Sequence, residues 1–333
     1  MRDVQQILGL AATLRENLAK CAGDPDVDPV HDTRTGTRRL QATVENLVRE
    51  LPDDGAGAAA RDSAAATMRV LKRIRRAAGP VRDLDVHRRL LQKLAMRATD
   101  PAKAAKHPED LPVAKLVAGA GPLERALAGL RATPLQRQTD DLDAWLKDRR
   151  SELAEGFQAK AAATLPKLDK WVAALYAALR AKGVRRSRKK APAVAALEGF
   201  ARLATEMQAL HAGNLHDFRR GAKKARYVAE LAAGGDEEAA RVGGALKKLQ
   251  DEIGDWHDWL VLADEAHAAL GDGAPELTEL IEAERDRHFA VALQMASKLR
   301  GRLMGEWLAV RRRAAGSQQS AASQEAGSRQ RMA

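Results

Sequence analysis

Two stretches of this chain place a histidine ahead of a run of cations at the same spacing. Residues 30–40 read VHDTRTGTRRL and residues 215–226 read LHDFRRGAKKAR, so that His31 matches His216. A second matching pair follows, LKRIRRAAGPVRDLDV at 71–86 and LKKLQDEIGDWHDWLV at 246–261, in which Gly79 matches Gly254. Two matches in the same order indicate an internal duplication. Arginine, lysine and histidine all bind anionic oxygens, and a duplicated array of cations suits a long, repetitive anion.

Helical spacing gathers the cations of each stretch on one face. At about 100° per residue, Arg34 and Arg38 lie within roughly 60° of His31, and the apolar residues Leu40 and Val44 lie on the opposite side. Four sets of side chains are predicted to bind the anion: the first histidine ladder (His31, Arg34, Arg38, Arg39), the first partner ladder (Arg69, Lys72, Arg73, Arg76), the second histidine ladder (His216, Arg219, Arg220, Lys223, Lys224, Tyr227) and the shorter second partner ladder (Lys247, Lys248).

Both histidines are predicted to lie in the first turn of a helix. Asp28 followed by Pro29 fits an N-cap with proline at the first helical position, and Asn214 with Asp217 three positions later fits a capping box. The free N–H groups and the positive dipole end of a first turn favour an anion. The sequence therefore predicts an anion at each of these helix starts.

Composition agrees with a polyanion as the partner. The 333 residues carry a net charge of +11 and a pI near 9.9, a surplus that attracts nucleic acid, anionic membrane surfaces or polyphosphate. A single cysteine, Cys21, excludes an intramolecular disulfide framework and favours a reducing, cytoplasmic compartment. No stretch approaches the roughly 18 apolar residues of a membrane span. The N-terminal stretch MRDVQQILGLAATLRENLAK reads as an amphipathic helix rather than a signal peptide.

The chain is predicted to be all-α, because alanine, leucine and arginine dominate and β-branched alternation is nearly absent. The predicted helices are 3–21, 29–51, 57–78, 82–97, 135–161, 165–182, 192–212, 214–233, 237–253, 256–270 and 275–313. One duplicated domain, 1–313, is predicted, with halves of about 1–162 and 163–313. The basic run RRSRKK at 185–190 is predicted to be a solvated connector, and the small polar residues 314–333 a disordered tail.

Two other classes of function compete with polyanion binding. His-Asp pairs at 31–32, 216–217 and 257–258 suggest a metal phosphohydrolase, but divalent metals need several carboxylates and neutral imidazoles together, whereas cations flank His31. No Walker A loop occurs. A nucleic-acid binder remains the alternative, although aromatic residues make up only 3% and Tyr227 is the single candidate for base stacking on these faces. The sequence predicts no enzyme activity, no cofactor and no metal.

The four blocks, in their order along the chain, resemble the CHAD family of histidine-bearing helical domains over about residues 3–313. The resemblance implies two similar helical bundles related by a pseudo-two-fold axis, with a basic groove or pore between them. It also implies binding of inorganic polyphosphate, often with residence on polyphosphate granules in bacteria, through the ladder residues named above. The sequence departs from the family pattern at Thr35 and Gln41, and at Asp251, which interrupts the second partner ladder.

Overall fold

The structure is a computed structural model that describes residues 2–49, 51, 55–99, 122–180, 192–230 and 236–330. These residues form α-helices, with one 3₁₀ turn at Gly271–Gly273 and no strand among them. The prediction of an all-α protein is confirmed. The predicted connector at 185–190 lies outside the described residues.

The helices are fewer and longer than the sequence predicts. They are α1 (Arg2–Gly23), α2 (Val27–Arg49), α3 (Gly55–Thr99), α4 (Pro122–Arg180), α5 (Pro192–Glu206), α6 (Ala212–Glu230), α7 (Glu237–Leu270) and α8 (Pro275–Gln330). Helix α8 continues well past residue 313, so it includes most of the segment predicted as a disordered tail. That segment contains no proline, and its alanine, glutamine, glutamate and arginine residues have good helix propensity.

Three internal prolines explain most of the wrongly predicted breaks. Pro80 lies inside α3, and Pro134 and Pro166 lie inside α4. Proline removes one backbone donor and normally kinks or ends a helix, so the sequence predicted separate helices on either side of Pro80 and a break before Pro166. Both helices instead continue through these residues, and the apolar side chains of Ala78 and Val81 on either side of Pro80 are fully buried.

Contacts divide the chain into two compact units, which are described separately. The first unit comprises Met1–Ser187 and Asp258–Asp286, and the second comprises Arg188–His257 and Arg287–Ala333. Helices α7 and α8 therefore contribute residues to both units. The predicted halves, 1–162 and 163–313, divide the chain differently. The internal duplication and the groove stay predictions.

The first unit has two apolar cores. In one, α1, α2, α3 and α4 bury leucine and valine side chains against each other, among them Leu14, Leu40, Leu71 and Leu175. In the other, the second half of α3 and the first half of α4 pack against the end of α7 and the start of α8, around Trp259. Burial of large apolar side chains contributes about 1.5–3 kcal/mol each, and it fixes the helix faces that remain outside.

The second unit is built from α5, α6 and parts of α7 and α8. Phe200 of α5 packs edge-on against Phe218 of α6, with ring centroids 5.9 Å apart. Trp256 of α7 lies 5.5 Å from the ring of Phe289 of α8. Leu215, Ala222 and other small apolar residues of α6 are fully buried. This packing leaves the opposite face of α6, which carries the second histidine ladder, pointing away from the core.

Candidate functional site

The first histidine ladder lies on the face of α2 that is opposite its buried face. Thr33, Thr37, Leu40 and Val44 are fully buried. His31 and Arg39 are exposed, and Arg34 and Arg38 are half-buried. The amphipathic pattern of α2 therefore presents the histidine and its cations outward, on a helix that is held by its other side.

The predicted helix starts need a correction. Helix α2 begins at Val27, where Asp26 Oδ1 accepts a hydrogen bond from the Val27 N–H at 2.7 Å. Helix α6 begins at Ala212, and Asn214 bonds back to the preceding turn through the His211 N–H and the Ala209 carbonyl. Asp28 and Asn214 are therefore not the N-caps. Both histidines lie in the second helical turn. An anion beside them would therefore be bound by side chains rather than by the free N–H groups of the first turn.

Helix α3 fixes the position of Arg34. The Arg34 Nη1 atom donates to the carbonyl oxygen of Gly79 at 3.0 Å and to Asp83 Oδ1 at 2.6 Å. The Arg34 side chain is 17% exposed, whereas Asp83 is 53% exposed. Arg34 is therefore a half-buried cation whose guanidinium is oriented by a backbone carbonyl and an exposed carboxylate.

Two arginines that the sequence analysis did not single out lie close to His31. Partial burial, then the charge of Arg82, and then the charges of Arg34 and Arg89 lower the pKa of His31, while Asp32 opposes the shift. Burial, Arg89 and Arg34 also lower the pKa of Arg82, against the opposing effect of Asp85. His31, Arg34, Arg82 and Arg89 therefore form one group of cationic side chains, called the first cation cluster.

The first cation cluster contains an unsatisfied donor. The Nη1 atom of Arg82 is buried and has no hydrogen-bond partner. Of the nearby carboxylates, Asp83 accepts from Arg34, and Asp85 accepts from Arg150 through Oδ1 at 2.6 Å while its Oδ2 is also buried without a hydrogen-bond partner. A buried donor without a partner costs about 1–3 kcal/mol, and an anion at this position would supply the missing acceptor.

The structure separates Arg73 and Arg76 of the first partner ladder from the first cation cluster. Arg75 and Gly79 face α2, because Arg75 donates to Gln41 and Gly79 accepts from Arg34. Two residues along a helix correspond to about 200°, so Arg73 lies roughly 160° away from Arg75. Arg73 and Arg76 instead line an open cavity of about 390 Å³ together with Lys160 and Lys167 of α4. Arg69 and Lys72 are exposed.

The second histidine ladder lies on the outer face of α6. His216, Arg219, Lys223 and Tyr227 are half-buried, whereas Arg220 and Lys224 are exposed. Arg220 is partly neutralised by Asp217, whose Oδ1 accepts from Nη2 at 2.7 Å, but both side chains are more than half exposed. Exposed pairs of this kind contribute little and exchange readily for another anion.

Helix α7 fixes Arg219 in the second unit. Its Nε atom donates to the carbonyl oxygen of Gln250 at 3.0 Å. Its guanidinium also lies directly over Gly254, where a Cβ atom would stand 2.6 Å from Nη2. The absence of a side chain at Gly254 therefore makes room for the arginine.

His216 faces a second histidine. The rings of His216 and His257 of α7 have centroids 4.6 Å apart and planes inclined by 47°. Burial, and then the charges of Arg219, Arg220 and Lys223, lower the pKa of His216, while Asp217 opposes the shift. The Nδ1 atom of His216 is buried without a hydrogen-bond partner. We call His216, His257, Arg219, Arg220 and Lys223 the second cation cluster.

The two lysines of the second partner ladder contact different groups. Lys247 forms an ion pair with Asp251 at 2.6 Å. Asp251, which interrupts the ladder, therefore also pairs with its first lysine. Lys248 lines a cavity of about 480 Å³ with Lys298 and Arg302 of α8. Both lysines therefore have surroundings of their own, apart from the contacts that define the second cation cluster.

Tyr227 lies between two cations rather than presenting an open face. Arg226 and Lys223 stand 4.9 Å and 5.9 Å from the centre of its ring. Cation–π contacts of this kind hold the cations in place. They also occupy the ring that the sequence analysis identified as a candidate for base stacking.

Within the described residues, no group of three or more histidine, cysteine, aspartate or glutamate side chains could hold a metal ion. None of the described helices is long and apolar enough to cross a membrane. The two clusters are instead sets of cations around a histidine, with few carboxylates, and chemically they suit multiply charged oxyanions.

A family model described as the CHAD domain matches residues 5–267. The chain belongs to the CHAD family. The match covers the first cation cluster and all of the second, and it ends earlier than residue 313, the limit expected from the resemblance. A crystal structure of the CHAD domain from the plant Ricinus communis is similar, with 17% identity, coverage of 88% of each chain and a TM-score of 0.48. No curated protein matches the chain.

For this CHAD domain, the sequence analysis missed Arg82, Arg89 and His257 as members of the clusters. The signal was present in the second repeated pair, where Arg82 and His257 occupy the same position in the two copies. They were passed over because they follow the predicted break at Gly79-Pro80 and its counterpart at Gly254. Since α3 and α7 continue through these residues, the side chains beyond them remain on the faces that meet the histidines.

Proposed function

We propose that this CHAD protein binds inorganic polyphosphate through its two cation clusters, does not cleave it, and associates with polyphosphate granules in the cytoplasm. The two histidine ladders, with Arg82, Arg89 and His257, form the binding surface. The remaining cations of the first partner ladder and Lys248 extend it.

The observation that carries the proposal is the accumulation of incompletely neutralised cations around each histidine. In the first cluster, burial and then the charges of neighbouring arginines lower the pKa values of His31 and Arg82, against the opposing effect of nearby aspartates. The same holds for His216 in the second cluster. Such clusters are electrostatically unfavourable until an anion enters, and a phosphate polymer brings one negative charge and equivalent oxygens at every repeat.

Polyphosphate fits these clusters better than nucleic acid does. Proteins that bind single strands combine a cationic groove with aromatic side chains on which bases stack. Tyr227 is the aromatic residue on the second histidine ladder, and Arg226 and Lys223 already cover its ring. The first histidine ladder has no aromatic residue. Polyphosphate has no bases, so its binding does not depend on aromatic side chains for stacking.

Competition binding tests the proposal. Labelled long-chain polyphosphate would be bound at about 150 mM salt, where non-specific charge interactions are screened, and then challenged with excess single-stranded DNA, RNA or free phosphate. Retention of polyphosphate is expected. Displacement by nucleic acid at equal phosphate concentration would replace the proposal with general polyanion binding.

A matched pair of charge-reversal variants locates the binding surface. Arg38→Glu with Arg39→Glu reverses two cations of the first histidine ladder and should abolish most binding. Lys147→Glu with Lys170→Glu makes the same change in net charge at exposed positions of α4 outside the clusters. The control should retain most of the affinity. Equal losses in both variants, with helicity preserved, would show that net charge alone governs binding and would refute the assignment of the surface.

A further inference from the structure

The two clusters differ in one side chain next to the histidine. In the second repeated pair, Gly79 matches Gly254, Asp83 matches Asp258, and Arg82 matches His257. The first cluster therefore has a guanidinium where the second has an imidazole. The surrounding contacts are similar, since Arg34 donates to the carbonyl of Gly79 and Arg219 lies over Gly254.

Arg82 belongs to the first cation cluster and interacts electrostatically with His31. Its charge is the largest single electrostatic cause of the lowered pKa of His31, after burial. Its Nη1 atom is buried without a partner. The guanidinium therefore stands close to the histidine with a donor that no protein group uses.

His257 takes the corresponding place in the second unit. Its ring lies 4.6 Å from the ring of His216, centroid to centroid. The Nδ1 atom of His216, like Nη1 of Arg82, is buried and lacks a hydrogen-bond partner. Each unit therefore has a buried polar atom that a ligand could satisfy: Nη1 of Arg82 in the first, and Nδ1 of His216 itself in the second.

We propose that Arg82 and His257 are ligand-binding residues at matching positions, and that this position carries a permanent charge in the first cluster and a charge that depends on protonation in the second. This inference rests on the proposed function, because it assigns residues and a pH response to the same anion sites. Arginine stays charged at every physiological pH, whereas imidazole gains its charge only in the acidic range.

The neighbouring groups of the second cluster set the direction of the response. They are Asp217, Arg219, Arg220 and Lys223 of α6, with Asp255 of α7 and His288 of α8, which interact with each other and lie beyond Arg219. The cations around His216 outnumber the carboxylate next to it, so without ligand His216 resists protonation. A phosphate polymer reverses this balance and favours proton uptake by the two facing imidazoles. Lower pH therefore strengthens binding at the second cluster in particular.

Exchange of the two side chains tests this inference. The dissociation constant for long-chain polyphosphate would be measured from about pH 5.5 to 8 at constant ionic strength, where each proton taken up changes it about tenfold per pH unit. His257→Arg should flatten the pH dependence relative to wild type and tighten binding near pH 8. Arg82→His should steepen the pH dependence and weaken binding near pH 8. His267→Arg, at an exposed position of the same helix α7, should keep the wild-type pH dependence.

The outcomes separate this inference from the proposed function. Failure of the wild-type protein to bind polyphosphate at every pH overturns the proposed function. Tight wild-type binding with the same pH dependence in wild type, His257→Arg and Arg82→His overturns the present inference alone. His257→Lys also places a fixed charge at position 257, so it replaces His257→Arg if that variant fails to fold, and Arg82→Lys, which keeps the fixed charge, should keep the wild-type pH dependence.

Discussion

Replacement of Gly254 by alanine is expected to displace Arg219 without removing any charge. The added Cβ would stand 2.6 Å from Nη2 and 3.3 Å from Cζ of Arg219, both closer than van der Waals contact allows. Gly254 lies inside α7, so the backbone has little freedom to move away. The guanidinium has to shift, and the hydrogen bond from its Nε to the Gln250 carbonyl is lost or weakened.

Two opposing contributions set the expected change in stability. Alanine is favoured over glycine in a helix interior by up to about 1 kcal/mol. Loss of a hydrogen bond from a charged donor costs about 1.5–3 kcal/mol. The free energy of unfolding should therefore fall by about 1–2 kcal/mol. Misplacement of one phosphate-binding cation should weaken polyphosphate binding by about tenfold, which corresponds to about 1.4 kcal/mol.

Gly79→Ala provides the matched control. Gly79 occupies the position equivalent to Gly254 in the first repeated block, and no atom lies within 4 Å of a Cβ built there. This variant should leave binding unchanged, and no gain in helix stability is expected because an added Cβ crowds the ring of the following Pro80. Fluorescence anisotropy with labelled polyphosphate measures affinity, and urea unfolding followed by circular dichroism measures stability.

The prediction for Gly254 would be refuted if Gly254→Ala gained stability and bound polyphosphate as tightly as Gly79→Ala. That result would mean that Arg219 relaxes to an equally useful position. A large loss of binding in Gly79→Ala would also contradict it, because the space beside that residue is open.

Two further predictions concern the histidines. Polyphosphate binding is expected to strengthen as the pH falls, because burial and nearby cations lower the pKa values of His31 and His216 in the free protein and the polymer raises them again. Calorimetry in two buffers of different ionisation enthalpy should detect proton uptake, and equal binding heats in both buffers would contradict the prediction. His87→Ala should cost about 2–4 kcal/mol in urea unfolding, because the fully buried ring bonds to Glu265 at 2.7 Å and its loss leaves that carboxylate without this partner. The exposed His267→Ala should cost less than about 1 kcal/mol, and similar losses in both variants would refute a structural role for His87.

Local periodicity was sufficient to predict the helical class and the outer face of the histidine helices. The apolar residues Leu40 and Val44 of α2, and Phe218 and Ala222 of α6, are fully buried. Each face repeats within two turns of one helix, so it depends on no knowledge of the neighbouring helices. The CHAD resemblance extended this to the family, which the match over residues 5–267 confirmed.

The membership of the clusters could not be read in the same way, because it depends on contacts between helices. Arg73 and Arg76 share the cationic character of the first partner ladder but line a cavity against α4, whereas Arg82 reaches His31 from beyond Pro80. Whether a helix continues through a proline depends on tertiary packing that outweighs the lost hydrogen bond. The break predicted at Pro80 therefore hid Arg82, the residue whose charge lowers the pKa of His31 most.

The way the arginines are held bears on the choice between a structural and a binding role for the clusters. A structural arginine is usually neutralised by a carboxylate with matching geometry, as Arg88 is by both oxygens of Asp143. Arg219 is held instead by a backbone carbonyl, and Arg34 by a carbonyl and one exposed carboxylate. A carbonyl orients a guanidinium but leaves its charge in place. The fold thus fixes the direction of these cations, and the carbonyl that holds Arg219 leaves its charge for the external anion that the proposed function requires.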